Sequence, residues 1–147
     1  MAAKIVFFPH SDDEFKDQQE LRHWLKYDLK EFRNGFYSVR NANGLGELEK
    51  GSLVFFNKGK YCVGFAVVGE GLRNITEEEK DKFGEDYKKC IKFLPESICV
   101  FNDDQLIKLE NITNIINKNF RRGYTTVDNP EDLLKIFKLI GQSKKEN

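Results

Sequence analysis

The chain has 147 residues, of which 39% are hydrophobic and 33% charged, with 24 Lys plus Arg balanced by 24 Asp plus Glu. These figures suit one globular domain with a real core. They exclude attraction of polyanions by bulk charge, so any nucleic-acid contact must rest on a local basic patch and a pocket. The first apolar run covers about five residues and is followed by acids, unlike a secretory signal, and no run is long enough to span a membrane. No membrane partner is therefore expected, and the expected location is cytoplasmic. Cys62, Cys90 and Cys99 are odd in number and lack CxxC spacing, which predicts core thiols in a reducing compartment.

In chain order, residues 4–8 read as a strand. Ser11-Asp12-Asp13-Glu14 has the S-x-x-E form of a capping box, so the HSDDE turn is expected to hand this strand to a helix. Leu21, Trp24, Leu25, Leu29 and Phe32 recur at helical spacing, which predicts one buried face and places Trp24 in the core. Asn34-Gly35 ends the helix, and residues 35–39 form a second strand. Residues 41–51 are a Gly- and Asn-rich loop. Residues 53–57 and 61–69 flank Asn57-Lys58-Gly59-Lys60, a hairpin signal. Residues 75–89 form a charged excursion, open or partly helical. Residues 90–94 and 98–101 are further strands split by Pro95, and residues 106–120 read as strand then helix. Asn129-Pro130-Glu131-Asp132 starts a last helix, expected to stop near Gly141. Gly59, Gly64 and Gly69 suit tight turns or close backbone approach. The sum is an α+β fold: a small curved β-barrel of about six strands flanked by helices. One domain is expected over residues 1–141, with 142–147 as a polar tail or linker.

The opening KIVFFPHSDDEF (4–15) resembles the first motif of zinc-dependent sugar de-N-acetylases, in which a strand delivers a His and an Asp to the metal. Zinc catalysis needs about three protein ligands, and the chain has only two histidines, His10 and His23. A small metal-dependent hydrolase using His10 and Asp13 therefore stays only as a rival reading. No metal, cofactor or catalytic residue is expected.

A second resemblance covers nearly the whole chain. NGFYSVRNANGLGEL (34–48), SLVFFNKGKYCVGFAVVGE (52–70), KFGEDYKK (82–89), QLIKLENITN (105–114) and DNPEDLLKIFKLI (128–140) resemble, in order, segments of the YTH domain and its relatives in the PUA/EVE superfamily, readers of modified bases. The resemblance implies a binding module, not an enzyme, that captures a flipped methylated adenine in an aromatic cage. The family's cage Trp positions fall on Tyr37, Phe83 and Tyr87. These departures fit best with the domains that open prokaryotic modification-dependent restriction enzymes, which implies methylated DNA as partner. It also implies a fused or associated component that hydrolyses nucleotides and cuts DNA. Methylated RNA, or another modified base such as a cytosine derivative, is the alternative.

The same resemblance assigns an acid at the base edge to Asp13 or Glu14, a backbone contact to Ser38, and a loop contact to Asn41 or Asn43. Asp12 is left to cap chemistry. Phosphate contacts fall to Arg40, Lys58, Lys60, Lys118, Arg121 and Arg122. Tyr37 alternates with Phe36, so one of the two must face the core. Phe83 and Tyr87 also suit the apolar side of an amphipathic turn. Burying one methyl contributes about 0.8 kcal/mol and ring contact adds to it, so a cage is expected to favour the methylated base by about 1–3 kcal/mol.

Overall fold

The structure is a computed structural model that describes residues 4–40, 45, 48–84, 87–117, 120 and 124–145, with 142–145 described by backbone alone. The strands are β1 (Ile5–His10), β2 (Phe36–Val39), β3 (Leu53–Lys58), β4 (Tyr61–Asn74), β5 (Lys89–Phe93), β6 (Cys99–Val100), β7 (Ile107–Lys108) and β8 (Thr125–Val127). The helices are α1 (Gln18–His23), α2 (Glu77–Phe83), α3 (Leu109–Ile116) and α4 (Pro130–Lys145), and α1 runs on as a π-wound segment, Trp24–Phe32. The strands form one mixed sheet in the order β2-β5-β4-β3-β1-β8, with β6 and β7 both pairing with β4. The fold is α+β, with a curved sheet between helices. It is not closed into a barrel, since β2 and β8 end the strand order.

Alternation builds the core. Val6 and Phe8 of β1 and Val54 and Phe56 of β3 face one side, under Leu21, Leu25 and Leu29. Ile5, Phe7 and Phe55 face the other, against Ile112, Ile116, Ile136 and Ile140 of α3 and α4. A two-residue period with both faces covered explains why VFF occurs twice with no polar break. The two strands pair in parallel, from Ile5 opposite Leu53 to His10 opposite Lys58. β4 is the long element, bonded to β3 through its first half and to β5 through its second. Register shifts at Val68/Glu70 and Glu70/Arg73 bend it, as bulges do, and curl the sheet. Gly64 lies where an added Cβ would sit 2.4 Å from the Cys99 carbonyl oxygen, so β6 can approach only a glycine there. Cys62 and Cys90 are buried free thiols, pushed up to about 12 and about 11 chiefly by burial.

Several boundaries differ from expectation for local reasons. The Ser11–Glu14 box closes one isolated turn, in which Glu14 accepts from the Ser11 amide at 3.3 Å. The helix itself starts at Gln18, capped by Asp17, whose side chain accepts from the Glu20 amide at 2.9 Å. α2 is a complete helix because Thr76 and Glu79 form a reciprocal capping box. Asn129 caps α4 as expected, but that helix passes Gly141 and continues to Lys145. β8 has no counterpart in the sequence reading.

The largest departure is the winding of residues 24–32. An i→i−5 ladder turns about once per 4.4 residues, against about 3.6 in an α-helix. Its last bond runs from the Arg33 amide to the Asp28 carbonyl at 2.6 Å. Under α winding Phe32 would share the face of Leu25; under π winding it swings about half a turn away. Phe32 is accordingly 63% exposed. The same winding places Trp24 and Arg33, nine residues apart, on one face, with the guanidinium 5.6 Å from the indole centroid.

Candidate functional site

The side of β1 that carries Val6 and Phe8 ends at His10, and there the sheet opens into a cleft of about 580 Å³ beneath the π-wound segment. Its walls include His10, Phe15, Trp24, Tyr37 and Tyr87, with Asp13, Glu14, Asp28, Arg33, Ser38 and Arg40 supplying the polar groups. The volume falls in the range of small-molecule pockets.

Four rings close a cycle around its floor. His10 meets Phe15 at 5.7 Å, Phe15 meets Trp24 at 5.6 Å, Trp24 meets Tyr37 at 6.0 Å, and Tyr37 meets His10 at 6.1 Å. All four contacts are edge-to-face, the geometry favoured by ring quadrupoles. Tyr37 is therefore both floor and core, since it also packs on Phe8, Phe56 and Phe93. Phe36, its neighbour on β2, turns to the opposite face and stacks on Phe83 at 4.6 Å.

Hydrogen bonding fixes the state of His10. Its Nδ1 lies 3.2 Å from the Asn57 carbonyl oxygen and its Nε2 lies 2.8 Å from the Tyr37 hydroxyl. A carbonyl only accepts, so Nδ1 carries the proton and Tyr37 donates to Nε2. Burial holds the imidazole below its ordinary pKa, partly offset by the bond to Asn57 and the charge of Glu14. Burial likewise raises the Tyr37 phenol well above its usual range, with Glu14 adding to it. Both groups are neutral at pH 7.

The rim is charged on both sides. Arg40 is exposed, and its guanidinium is held above its usual range first by a hydrogen bond to Tyr87 and then by the charges of Tyr87 and Glu14. Ser38 supplies a polar group of the cleft that no other described residue satisfies. Its hydroxyl is buried, and among the described residues it has no hydrogen-bond partner. Such a group costs about 1–3 kcal/mol unless something else meets it. The only other buried side-chain atom of this kind among the described residues is Asn57 Oδ1. Asn57 lines a smaller cavity of about 200 Å³ behind His10.

The structure thus brings together six of the expected residues: Asp13, Glu14, Tyr37, Ser38, Arg40 and Tyr87. Phe83 is not among them. As the last residue of α2 it packs with Phe36, Ile75 and Cys90, and Arg33 lies 5.1 Å over its ring. Lys58 was expected at the phosphates, but it is only 6% exposed and its ammonium pairs with Asp12. That pairing gives Asp12 a role other than capping. Lys60 is exposed at the Gly59-Lys60 hairpin turn, away from the cleft lining. Asn41, Asn43, Lys118, Arg121 and Arg122 lie outside the described residues.

Sequence reasoning missed His10, Phe15, Trp24 and Arg33 as cleft residues. For His10 a signal existed: extending the alternation Val6, Phe8 by one step puts it on the same face. Among the described residues no group of three or more His, Cys, Asp or Glu is placed to hold a metal ion. No described helix is long and apolar enough to cross a membrane.

No family model matches the chain, and no curated protein matches it. Solved structures do. A point-mutant form of the ASCH protein from Zymomonas mobilis superposes with a TM-score of 0.57 at 14% identity, covering 92% of this chain and 98% of that one. Protein Atu2648 from Agrobacterium tumefaciens gives 0.57 at 15% identity, with coverage of 95% and 94%. The YTH domain of the Zygosaccharomyces rouxii MRB1 protein, solved in complex with N6-methyladenosine RNA, gives 0.54 at 12% identity, with coverage of 94% and 86%. These likenesses establish the fold alone, one that this chain shares with the ASCH protein and the YTH domain.

Proposed function

We propose that this chain is a binding module, not an enzyme, whose cleft captures a methylated adenine extruded from nucleic acid. The observation that carries this reading is the closed cycle of His10, Phe15, Trp24 and Tyr37 at the floor of a cleft of about 580 Å³. Rings accept a methyl group that water expels, and their faces stack on any base. A monomethylated amine keeps one N–H, and Glu14, Asp13 or the Ser38 oxygen can accept it. The Ser38 hydroxyl would gain on binding the partner it lacks among the described residues. Arg33 over the Trp24 indole holds that ring in place, which reduces the ordering cost of binding.

The resemblance in the sequence supports DNA as the target and a modification-dependent restriction system as the setting, with cleavage supplied by a fused or associated component. A base in duplex DNA must be unstacked at a cost of a few kcal/mol. RNA is the second reading, favoured by one observation: the structurally similar YTH domain was solved with N6-methyladenosine RNA.

The test is a titration with four matched oligonucleotides, methylated and unmodified, in DNA and in RNA. The proposal expects the methylated member of one pair to bind about 5- to 140-fold more tightly, the equivalent of about 1–3 kcal/mol. It also expects the ligand to be recovered intact. Indifference to methylation in both pairs would end the proposal, and a shortened or demethylated product would end the non-enzymatic part of it.

A further inference from the structure

The segment that roofs the cleft has a second working side. Its residues fall into rows four apart: Leu21, Leu25 and Leu29 point into the core, and Trp24 and Asp28 point to the cleft. Arg22, Lys26 and Lys30, with His23 and Tyr27, line a separate groove of about 260 Å³ against Val100, Phe101 and Asn102. None of the lining residues of this groove is acidic, in a chain whose basic and acidic residues are equal at 24 each.

Arg22 builds the wall. Its guanidinium donates to the Phe101 carbonyl at 3.1 Å and to Asp103 at 2.5 Å, so much of its charge is already met. Lys26 is exposed and Lys30 partly so, and they carry the remaining positive field. Tyr27 is 50% exposed, unusual for a ring with no core to fill. His23 lies against it at 4.6 Å and the Lys26 ammonium sits 5.5 Å over its centroid. A half-exposed ring with lysines beside it is the arrangement that stacks a base while neutralising its phosphates. His23 also lines the first cleft, so the two cavities are neighbours that share one wall.

We infer that this groove seats the single-stranded nucleotide next to the captured base, with that neighbouring base on Tyr27 and its phosphates beside Lys26 and Lys30. The inference rests on the base-capture reading of the first cleft. It assigns the phosphate contact to α1 and its π-wound extension, where the sequence reading placed none.

The test compares N6-methyladenosine with methylated single-stranded DNA and RNA oligonucleotides extended on the 5′ or the 3′ side. Three proteins are used: the unaltered chain, Lys26→Gln/Lys30→Gln, and Tyr27→Ala. Each is first checked for an unchanged unfolding midpoint. An extension on one side should tighten binding to the unaltered chain. The double Lys variant should lose that gain for methylated and unmodified oligonucleotides alike. It should also flatten the slope of log affinity against log salt by about 1.4, at about 0.7 per phosphate of a single strand. Tyr27→Ala should lose about tenfold on the extended ligand and nothing on the nucleoside. Extended-ligand affinity and salt slope that stay put in both variants would overturn the groove while leaving base capture intact. Loss on nucleoside and oligonucleotide in equal measure would also overturn it. A protein blind to methylation whose oligonucleotide binding still follows Lys26, Lys30 and Tyr27 would overturn base capture instead and uphold the groove.

Discussion

Replacing Tyr37 by Phe keeps the ring and removes one proton. In the folded chain that proton goes to Nε2 of His10 at 2.8 Å, and His10 is only 6% exposed. Water reaches the freed nitrogen poorly, so the substitution leaves a buried acceptor unmet. The cost of such a group is about 1–3 kcal/mol, more than the net value of an ordinary hydrogen bond. For a domain of this size each kcal/mol lowers the unfolding midpoint by about 2–4 °C, so Tyr37→Phe should melt about 2–12 °C lower. Urea unfolding at pH 7.5, followed by far-UV circular dichroism, measures the free energy directly. A change within about 0.5 kcal/mol of zero, the range of an inert surface substitution, would refute the donor–acceptor assignment. The ring survives, so preference for a methylated base should persist in Tyr37→Phe and vanish in Tyr37→Ala.

The pH dependence of stability follows from the same histidine. Its folded pKa lies below the ordinary 6.5, so as pH falls through 6.5 the unfolded chain takes up a proton first. Stability should therefore be complete above that pH and fall below it, by at most about 1.4 kcal/mol per unit, until the lowered folded value is passed. Unfolding curves at pH 7.5 and 5.5 read this, and His10→Gln should flatten the difference. Trp24→Ala opens the ring cycle between Phe15 and Tyr37 and should reduce the methyl preference about tenfold or more, read by ligand titration. Phe83→Ala should do the opposite. It should destabilise by about 1–3 kcal/mol, less than a full core phenylalanine because the ring is partly exposed, and leave the methyl preference unchanged. Loss of preference in Phe83→Ala would put the cage back where the sequence resemblance drew it.

The elements that were legible in the sequence are those with strong local signals. The two VFF strands, the hairpin from β3 to β4 and the capped start of α4 each state their structure within a few residues. The site was half legible. Tyr37, Ser38, Asp13, Glu14, Arg40 and Tyr87 meet at the cleft, carried by β2 and its end, the turn after β1 and the stretch before β5. Trp24 packs on the core as expected and also lines the cleft, whereas Phe32 does not face the core. Phe32 was read on a 3.6-residue period, and the chain there winds with i→i−5 bonds. That winding moves Phe32 out to solvent and brings Arg33 over Trp24. Of the two readings of Phe83 the structure takes the apolar side of an amphipathic turn, because the Thr76–Glu79 box completes α2. Once α2 is a complete helix, its last ring turns to Phe36. Lys58 looked like a hairpin cation, yet strand alternation puts its side chain beside His10, where Asp12 meets it.

Trp24 is the sole tryptophan of the chain and lines the cleft, which makes its fluorescence a reporter at the proposed binding point. Titrating the protein with N6-methyladenosine and with adenosine tests the base-capture claim with no contribution from flanking nucleotides. Base capture predicts a saturable change in Trp24 emission and an affinity about 5- to 140-fold higher for the methylated nucleoside. Equal affinity for the two, or binding that leaves Trp24 emission untouched, would contradict it.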